Sequence, residues 1–429
     1  MVKFLFITLL SLYFLTFKLA GQDKNINPDQ NKPQETIEKP AIKVGGYIRT
    51  DAFFDTYKNT ESRDGESYSY PVKKGLDAAG NDTNRINQFT MLGVQSRFRI
   101  NAGGVFAFGA KVSGMLEADF MGMSDDSKFM VGLRHSYIKL DWEKTQLLMG
   151  QYWSPMSIPE FAANTVLFAS GTTFQPTNRA VQARFTYQAT SQIKLIGAVM
   201  GYNTHRAVEI KYNNSQRSSG LPVLEGQFQY GNANAFFFSL NGGYKFLTPY
   251  IETIVAGNKY KATKIVGSFH TQANLGYQLP NLSLKFQGNY GQNMTEFGMI
   301  GGYLPVEGSQ NSQGEWDYTN IKTVSTWFDI ETKGKRFRPG LFIAYSENLG
   351  TDKDVHATKP YVADLTRGSD IRELLRISPR FYYISGLIDI GVEYIRNTAA
   401  YGTFGKRGVI GTQTPTTNNR ILVSVRYTF

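Results

Sequence analysis

The sequence predicts an all-β fold, a transmembrane antiparallel β-barrel of about sixteen strands, and three observations support this prediction. The chain ends on a segment, 420–429, in which apolar and polar residues alternate as they do along a half-buried strand. Similar segments recur along most of the chain, and the connections between them alternate between short and long. The mean hydropathy is only -0.31, which suits a wall that turns every second strand residue to lipid.

The first residues have the pattern of a secretory signal peptide. A short basic start at Lys3 precedes an almost unbroken apolar run over 4–17, and the small residues Ala20 and Gly21 follow. We therefore predict a signal peptide over 1–21 and export of the rest. The chain has no cysteine, which excludes both disulfides and a lipid anchor attached to a cysteine. Residues 22–43 are polar and broken by prolines, so we predict a loosely ordered periplasmic segment there.

The barrel itself is predicted to occupy 44–429. Its sixteen strands are expected at 46–55, 90–101, 105–120, 129–142, 146–153, 180–187, 192–202, 222–230, 235–247, 264–277, 282–290, 318–330, 339–345, 372–383, 387–394 and 420–429. Ala102-Gly103-Gly104 is interpreted as the first tight turn, and Tyr57 to Ile86 as an exposed polar loop.

The lengths of the connections place the barrel in a particular membrane. Short turns near residues 103, 144, 190, 231, 280, 334 and 385 alternate with longer, mostly polar connections. Barrels of the bacterial outer membrane have short periplasmic turns and long external loops, whereas a soluble sandwich has no reason to sort its connections by length. We therefore predict the outer membrane as the location and its lipid as a partner.

The last strand ends on an aromatic residue with no polar tail. An apolar outward face, a polar inward face and a boundary aromatic are what a bilayer-spanning strand requires. This ending resembles the C-terminal signal by which outer-membrane barrels are recognised, so Tyr427 and Phe429 are candidate contacts for the barrel-assembly machinery. An ordinary edge strand is the alternative for this segment considered alone.

The connection over 153–179 is more apolar and less charged than the others. An apolar loop facing water would be unfavourable, so we expect it to fold back against the inner wall and narrow the lumen. Packing on a neighbouring subunit is the alternative. The candidate constriction residues are Trp153, Phe161, Asn164, Phe168, Phe174, Asn178 and Arg179.

Many charged residues lie opposite the apolar positions of their strands. A cation facing lipid at the bilayer midplane would cost about 2 to 4 kcal/mol, so these side chains should face the lumen. Basic groups at a constriction favour small anions, although the charges could instead pair with one another across the wall. Arg97 and Arg99, with Arg49 and Lys111 nearby, form the best predicted cluster. The candidate pore-lining residues are Arg49, Asp51, Arg97, Arg99, Lys111, Glu117, His135, Lys139, Arg184, Lys194, Arg376 and Arg380.

Other functional classes find little support in the sequence. The four histidines have no serine and aspartate at a spacing that predicts a catalytic triad, and no metal-ligand or phosphate-loop motif stands out, so we predict no catalytic residue, metal or cofactor. The net charge is +11, but the basic residues are dispersed at strand period and do not form a nucleic-acid patch. A passive diffusion channel is favoured, a structural or adhesive barrel is the alternative, and a barrel hydrolase is a distant third.

Four segments also resemble one known family. Gly46-Tyr47-Ile48-Arg49, the strand Leu133 to Leu140, Gly150-Gln151-Tyr152-Trp153 and Gln175-Pro176-Thr177-Asn178-Arg179 are similar to segments of the DcaP-like porins, including their Bacteroidota members. The resemblance implies a homotrimer of sixteen-stranded diffusion channels that pass small polar solutes, in some members with a preference for anions such as dicarboxylates. The N-terminal coil of some members has no clear counterpart in 22–43.

Overall fold

Sixteen antiparallel strands form a closed wall in this computed structural model. The structure describes residues 39–122, 125–168, 171–202, 207–209 and 214–429, so the predicted signal peptide and nearly all of the 22–43 segment lie outside the described residues. The wall strands, numbered β1 to β16, are Ala41–Asp55, Gln88–Leu92 with Arg97–Ala107 (together β2), Ala110–Asp119, Gly132–Asp141, Thr145–Trp153, Arg179–Gln188, Ile193–Gly201, Val223–Gly231, Phe236–Leu247, Val266–Gln278, Leu282–Gln292, Tyr318–Thr332, Phe337–Gly350, Ile371–Ser385, Ile388–Tyr401 and Thr414–Thr428.

The first strand closes the ring. Tyr47 of β1 pairs with Thr428 of β16 on one side and with Arg97 of β2 on the other. Since each end strand has a partner, the wall has no open edge whose backbone groups would face lipid without hydrogen bonds. The predicted sixteen-stranded barrel is therefore confirmed.

Side chains alternate between the two surfaces of the wall as the sequence pattern predicts. On β16, Ile421, Val423 and Val425 are exposed on the outer surface, whereas Ser424 and Asn418 are buried on the inner one. Because the side-chain period of a strand is two, this alternation fixes the register around the whole ring. Lipid therefore meets apolar side chains while the lumen receives the polar ones.

The first turn lies elsewhere than predicted. The strand continues through Gly103 and Gly104, where the pairing register shifts, and ends only after Ala107 pairs with Ala110. The turn is formed by Phe108 and Gly109, with φ of 53° and 69°. Two successive positive φ angles are the geometry of a type I′ hairpin turn, and the Gly-Gly pair marks a bulge inside the strand.

Two of the connections that pack inside the barrel border the site described below. The first is a small hairpin, Asn59–Ser62 paired with Ser67–Pro71, called here the loop 1 hairpin. The second connects β5 to β6 over 154–178 and is called loop 3. The sequence-based expectation that 57–86 is wholly exposed is wrong, because Tyr57, Tyr68 and Tyr70 are buried. Tyr68 packs in a cluster with Phe53 and Leu422 of the wall, and Tyr70 in one with Ile371 and Leu374.

The remaining connections carry short elements. A 3-10 helix, Met294–Phe297, and a short strand, Gly301–Pro305, follow β11, and a two-residue strand, Thr366–Arg367, pairs with the latter. Further elements are the 3-10 helix Asp125–Ser127, the helices Ser215–Ser219 and Lys359–Leu365, and the hairpin of Glu252–Val255 with Asn258–Lys261. In the described part of the chain, no helix has both the length and the apolar character to span a membrane.

Candidate functional site

A cavity of about 770 Å³ lies between the loop 1 hairpin, loop 3 and the inner wall. Its described lining is strongly basic, because the only acidic residues among the lining residues that the structure describes are Glu61 and Asp119. The basic members of that lining are Arg49, Arg63, Arg97, Arg134, Arg179, Arg367 and Arg426. Low-dielectric walls around such a cavity strengthen the field of these cations within it.

Three of these arginines, Arg97, Arg134 and Arg179, form what is called here the arginine cluster. The Arg134 guanidinium donates from Nε to Glu117 at 3.0 Å and from Nη1 to Asp119 at 2.5 Å. Arg97 lies farther from the same glutamate, with 3.5 Å between its Nη1 and Glu117 Oε1. Three guanidinium groups thus share two carboxylates, which leaves net positive charge on this wall.

A β-bulge explains the position of Arg134, which the sequence analysis did not select. The pairing register shifts between Glu117 and Ala118, so Arg134 and His135 both point inward while Leu133 is exposed to lipid. Strict alternation would instead have placed Arg134 in lipid, at a cost of about 2 to 4 kcal/mol, and Leu133 in the lumen. In Leu133-Arg134-His135, strict alternation puts an arginine in lipid and a leucine in the lumen at once, and this pattern could have predicted the bulge.

Arg179 has two buried guanidinium nitrogens that are not bound by the described residues. Its guanidinium carbon lies 5.5 Å from the centre of the Trp153 ring, and it interacts electrostatically with Arg97 and Arg134 as well as with Asp119. Its Nε and Nη1 are buried and have no hydrogen-bond acceptor among the described residues. Buried cationic donors of this kind are suited to an anion that enters the cavity.

Loop 3 is held against the inner wall through its own backbone. Side chains of the wall form hydrogen bonds with carbonyl and amide groups along the loop, which satisfies backbone groups that would otherwise be buried without a partner. The contacts are Gln227 to Pro155 O at 2.7 Å, Gln272 to Met156 O at 2.9 Å, Lys285 to Ala162 O at 2.7 Å, Tyr382 to Thr165 O at 2.9 Å, Arg49 to Val166 O at 2.6 Å, Leu167 N to Glu393 at 2.7 Å and Ser325 to Phe174 O at 2.8 Å.

Comparison with known proteins identifies the family. A family model described as DcaP outer membrane protein matches residues 16–248, more than half of the 429 residues. The chain belongs to the DcaP outer membrane protein family. It is therefore an outer-membrane barrel of a porin-like channel family, and the family and location predicted from the sequence are confirmed.

Solved structures share the DcaP-family fold at low sequence identity. The outer membrane channel DcaP of Acinetobacter baumannii is 16% identical with a TM-score of 0.66, over 91% of this chain and 98% of that chain. OmpT of Vibrio cholerae is 11% identical with a TM-score of 0.55, over 91% and 98%. An anion-selective porin from Comamonas acidovorans is 12% identical with a TM-score of 0.52, over 91% and 100%. None of the curated proteins compared with the chain matches it.

The predicted constriction residues of this DcaP-family barrel occupy different environments. Trp153 and Phe168 line the cavity, and the Phe168 ring lies 5.9 Å from the Arg134 guanidinium. Phe161 and Phe174 are instead fully buried with Trp327 of the wall, where they anchor the loop. Asn178 is also buried and accepts a backbone hydrogen bond from Ser154 at 3.1 Å. Asn164 is exposed and donates to Glu331 at 2.8 Å.

Several of the predicted pore-lining charges are paired. Arg49 and Asp51 are joined at 2.8 Å, although Arg49 still borders the cavity. Arg380 pairs with Asp329 at 2.7 Å and with Glu331 at 3.0 Å.

Arg376 and Arg380 are buried and do not line the cavity described above, so assigning them to the open pore surface was wrong. The physical reason is that loop 3 and the loop 1 hairpin cover Arg376, whereas Arg380 is enclosed by its ion pairs with Asp329 and Glu331. Arg376 donates to backbone carbonyls of both of these segments. A strand pattern identifies an inward face but cannot show that a distant segment covers it.

Other predicted lining residues lie toward the turn end of the wall. Lys111 is opposite Phe106 and Asp141, eight residues along β3 from Asp119, which corresponds to roughly 26 Å at about 3.3 Å per residue. The expectation that it lies near Arg97 is therefore wrong. Lys139 pairs with Asp141 at 3.0 Å, and Lys194 is opposite Gln188 and Gln229. Arg99 is not at the turn end: it lies opposite Glu117, two residues along β2 from Arg97, and is exposed without lining the cavity.

Two predicted residues contact aromatic rings of the wall. The guanidinium carbon of Arg184 lies 5.7 Å from the centre of the Tyr152 ring. The imidazole of His135 is 5.0 Å from the Tyr152 ring and 5.5 Å from the Trp153 ring, and its Nε2 is 3.7 Å from Glu117. The predicted assembly residues Tyr427 and Phe429 are exposed on the outer surface.

Proposed function

We propose that this barrel is a passive diffusion channel that favours small hydrophilic anions, with carboxylates as the preferred class. The observation that carries the proposal is the charge of the cavity, whose described lining includes seven arginines and two carboxylates. Fixed guanidinium groups lower the energy of an anion in the cavity and raise that of a cation. An anion must also leave the cavity again, so it must bind only weakly. Several arginines that each attract the anion in turn allow this better than one tight binding pocket does.

The arginine cluster is the proposed selectivity filter. Its cations stand at the ends of loop 3 and on the neighbouring wall, where the lumen is narrowed from the other side by Phe168 and the loop 1 hairpin. Arg179 offers its buried Nε and Nη1 donors, and Arg97 offers its buried Nε, which also has no acceptor among the described residues. A carboxylate can accept two parallel hydrogen bonds from one guanidinium, so this chemistry suits organic acids.

We propose a homotrimer as the assembled state and the C-terminal strand as the signal read by the barrel-assembly machinery. OmpT of Vibrio cholerae, which has the same fold, has been solved in a trimer form. Tyr427 and Phe429 are accessible on the lipid side, with ring centres 6.3 Å apart, so another protein can contact them during insertion.

Transport without catalysis is the proposed mode of action. Each histidine among the described residues packs against an aromatic ring and lies near a glutamate: His135 with Trp153 and Glu117, His270 with Phe297 and Glu225, and His356 with Trp316 and Glu307. These are packing arrangements of the wall and loops. Solute movement then depends on pore width and charge alone.

Recordings from the purified protein in planar bilayers test the proposal. We expect stable open steps and, in a steep KCl gradient, a reversal potential of the sign given by anion preference. Addition of small organic acids should reduce the KCl current more than neutral sugars of equal size do. A correctly folded protein that stays silent contradicts the channel, and a reversal potential of the opposite sign contradicts the anion preference.

A further inference from the structure

Arg376 lies on β14 behind the two inward segments and contacts both of them. Its Nη1 donates to Thr172 O of loop 3 at 3.0 Å, and its Nη2 donates to Ser69 O of the loop 1 hairpin at 2.9 Å. The same guanidinium carbon lies 5.1 Å from the Tyr68 ring and 5.0 Å from the Phe174 ring, so each segment also supplies an aromatic face. One side chain thus joins two segments that are about a hundred residues apart in the sequence.

The residues beside these contacts border the pore. Ser67 and Ser69 of the loop 1 hairpin, and Thr172 and Gln175 of loop 3, all line the cavity that holds the arginine cluster, whereas Arg376 does not. We propose that Arg376 is a positioning residue that fixes the width of the channel by fastening the loop 1 hairpin and loop 3 to one point on the wall. This inference rests on the proposed channel function.

The chemistry of the contact favours this role over general stabilisation. Arg376 is 1% exposed, and its hydrogen-bond acceptors among the described residues are two neutral carbonyls. Burying a cation without a directly paired carboxylate is costly, and an apolar side chain of similar volume is often equally stable in such a place. The planar guanidinium, however, can hold two carbonyls in a fixed relative position, which neither an apolar side chain nor a lysine can do.

Single-contact neighbours provide matched controls. Asn397 donates to the same Ser69 O of the loop 1 hairpin at 2.8 Å. Ser325 donates to Phe174 O of loop 3 at 2.8 Å. Replacing either residue removes one bond to one segment and leaves both segments fastened by Arg376.

The test compares Arg376→Gln, Arg376→Lys, Asn397→Ala and Ser325→Ala with the unaltered chain, all checked for folding by heat-modifiable migration on gels. We expect Arg376→Gln to raise single-channel conductance by about 1.5- to 2-fold, because conductance follows the narrowest cross-section of the pore, and to raise the size limit for neutral sugars in liposome swelling. Arg376→Lys should behave nearly like Arg376→Gln, and each single-contact variant should show a smaller rise.

The outcomes separate this inference from the proposed function. If the unaltered chain conducts and folded Arg376→Gln has the same conductance and size limit, the positioning role is wrong while the channel stands. If Arg376→Gln does not fold, Arg376→Met decides, because an apolar side chain of similar volume is often equally stable in a buried place. A higher size limit in Arg376→Met supports the inference, and an unchanged one overturns it. A silent unaltered chain overturns the channel itself.

Discussion

The two halves of the barrel wall differ in what their inward side chains do. On the open half, strands β2 to β6, the arginine cluster faces a water-accessible cavity. On the filled half, strands β8 to β15, inward side chains bind the backbone of loop 3 and of the loop 1 hairpin. The same alternation of apolar and polar residues therefore produces a solute path on one side and a loop-binding surface on the other.

The kind of polar residue distinguishes the halves. The filled half carries many inward amides and hydroxyls that are buried, namely Gln227, Ser239, Asn241, Gln272, Asn274, Gln287, Asn289, Ser325 and Asn397. These groups both donate and accept, so they can pair with backbone and with one another without a large desolvation cost. The arginine cluster of the open half borders the cavity, where a solute can reach it. The buried arginines of the filled half are instead bound by protein groups, Arg376 by two backbone carbonyls and Arg380 by Asp329 and Glu331.

The largest expected effect is on the open half. Replacing Arg97 and Arg179 together by glutamine should lower the anion-to-cation permeability ratio by about 25-fold, since each removed charge is worth about 1 kcal/mol, or about fivefold. Reversal potentials in a KCl gradient measure the ratio. Lys285→Met is the matched control, because it removes a cation of the filled half that binds Ala162 O and does not line the cavity. An equal shift in both variants would erase the distinction between the halves.

The next effect concerns the hydrogen bonds that hold loop 3 to the filled half of the wall. Gln272 donates to Met156 O at 2.9 Å and to Asn289 at 3.1 Å, and Gln272→Leu leaves that buried carbonyl without its donor. The free energy of unfolding should fall by about 1 to 3 kcal/mol, with noisier open-channel current and unchanged ion preference. Urea unfolding in detergent and bilayer recordings measure these changes.

Gln278→Leu is the control for that experiment. It lies on the same strand near the turn end and donates to Ser283 at 2.9 Å, away from loop 3. Its current should be as quiet as that of the unaltered chain. Comparable noise in both variants would show that the amides of the filled half do not hold the loop.

Much of the wall was predictable from the sequence because alternation is a local property. The sixteen strands and the outward apolar faces follow from residues such as Val423 and Val425 with their polar neighbours. The apolar character of 153–179 also predicted that this loop packs against the inner wall, and Phe161 and Phe174 are buried there. Such predictions need only neighbouring residues and a cost for exposing apolar surface to water.

The site was less predictable because it depends on contacts between distant segments. The inward position of Arg134 required a bulge, which alternation alone does not show. The burial of Arg376 depends on Thr172 and Ser69, which lie far away in the chain. The loop 1 hairpin carried a weak signal, the alternating Ser67 to Tyr70, inside a segment whose composition is that of an exposed loop.

The loop 1 hairpin should respond to pH. Burial, reinforced by the nearby Asp51 charge, raises the pKa of Glu66 to about 7 against the opposing effects of Arg49, Arg420 and a hydrogen bond from Gln95. Burial likewise raises the pKa of Glu61 to about 7, with Asp55, Asp64 and Asp125 adding to it and Arg420 opposing it. Both residues lie in the loop 1 hairpin, outside the membrane-spanning strands.

The direction of the response follows from those pKa values. A carboxyl whose pKa is higher in the packed hairpin than its free value of about 4.3 stabilises packing below the free pKa, and that contribution is lost as pH rises through about 7. Conductance and current noise should therefore increase as pH rises from about 4 to about 7 and level off above that. Glu66→Gln should flatten this dependence, while Glu252→Gln on the outer hairpin, where Glu252 pairs with Lys259, should keep it. Falling conductance over the same range would contradict the argument.

The smallest expected effect is at the turn end of the open half. Lys111 is exposed, and it is separated from Asp119 by most of the length of β3. Charges separated by more than the Debye length of about 8 Å at physiological ionic strength are largely screened, so Lys111→Gln should leave the reversal potential nearly unchanged at that salt concentration. Lowering the salt should reveal a small loss of anion preference, because the Debye length grows to about 30 Å at 0.01 M. If Lys111→Gln shifted the reversal potential at physiological salt as far as loss of Arg97 and Arg179 does, ion preference would be set at the turn-side mouth, and the arginine cluster would not be the filter.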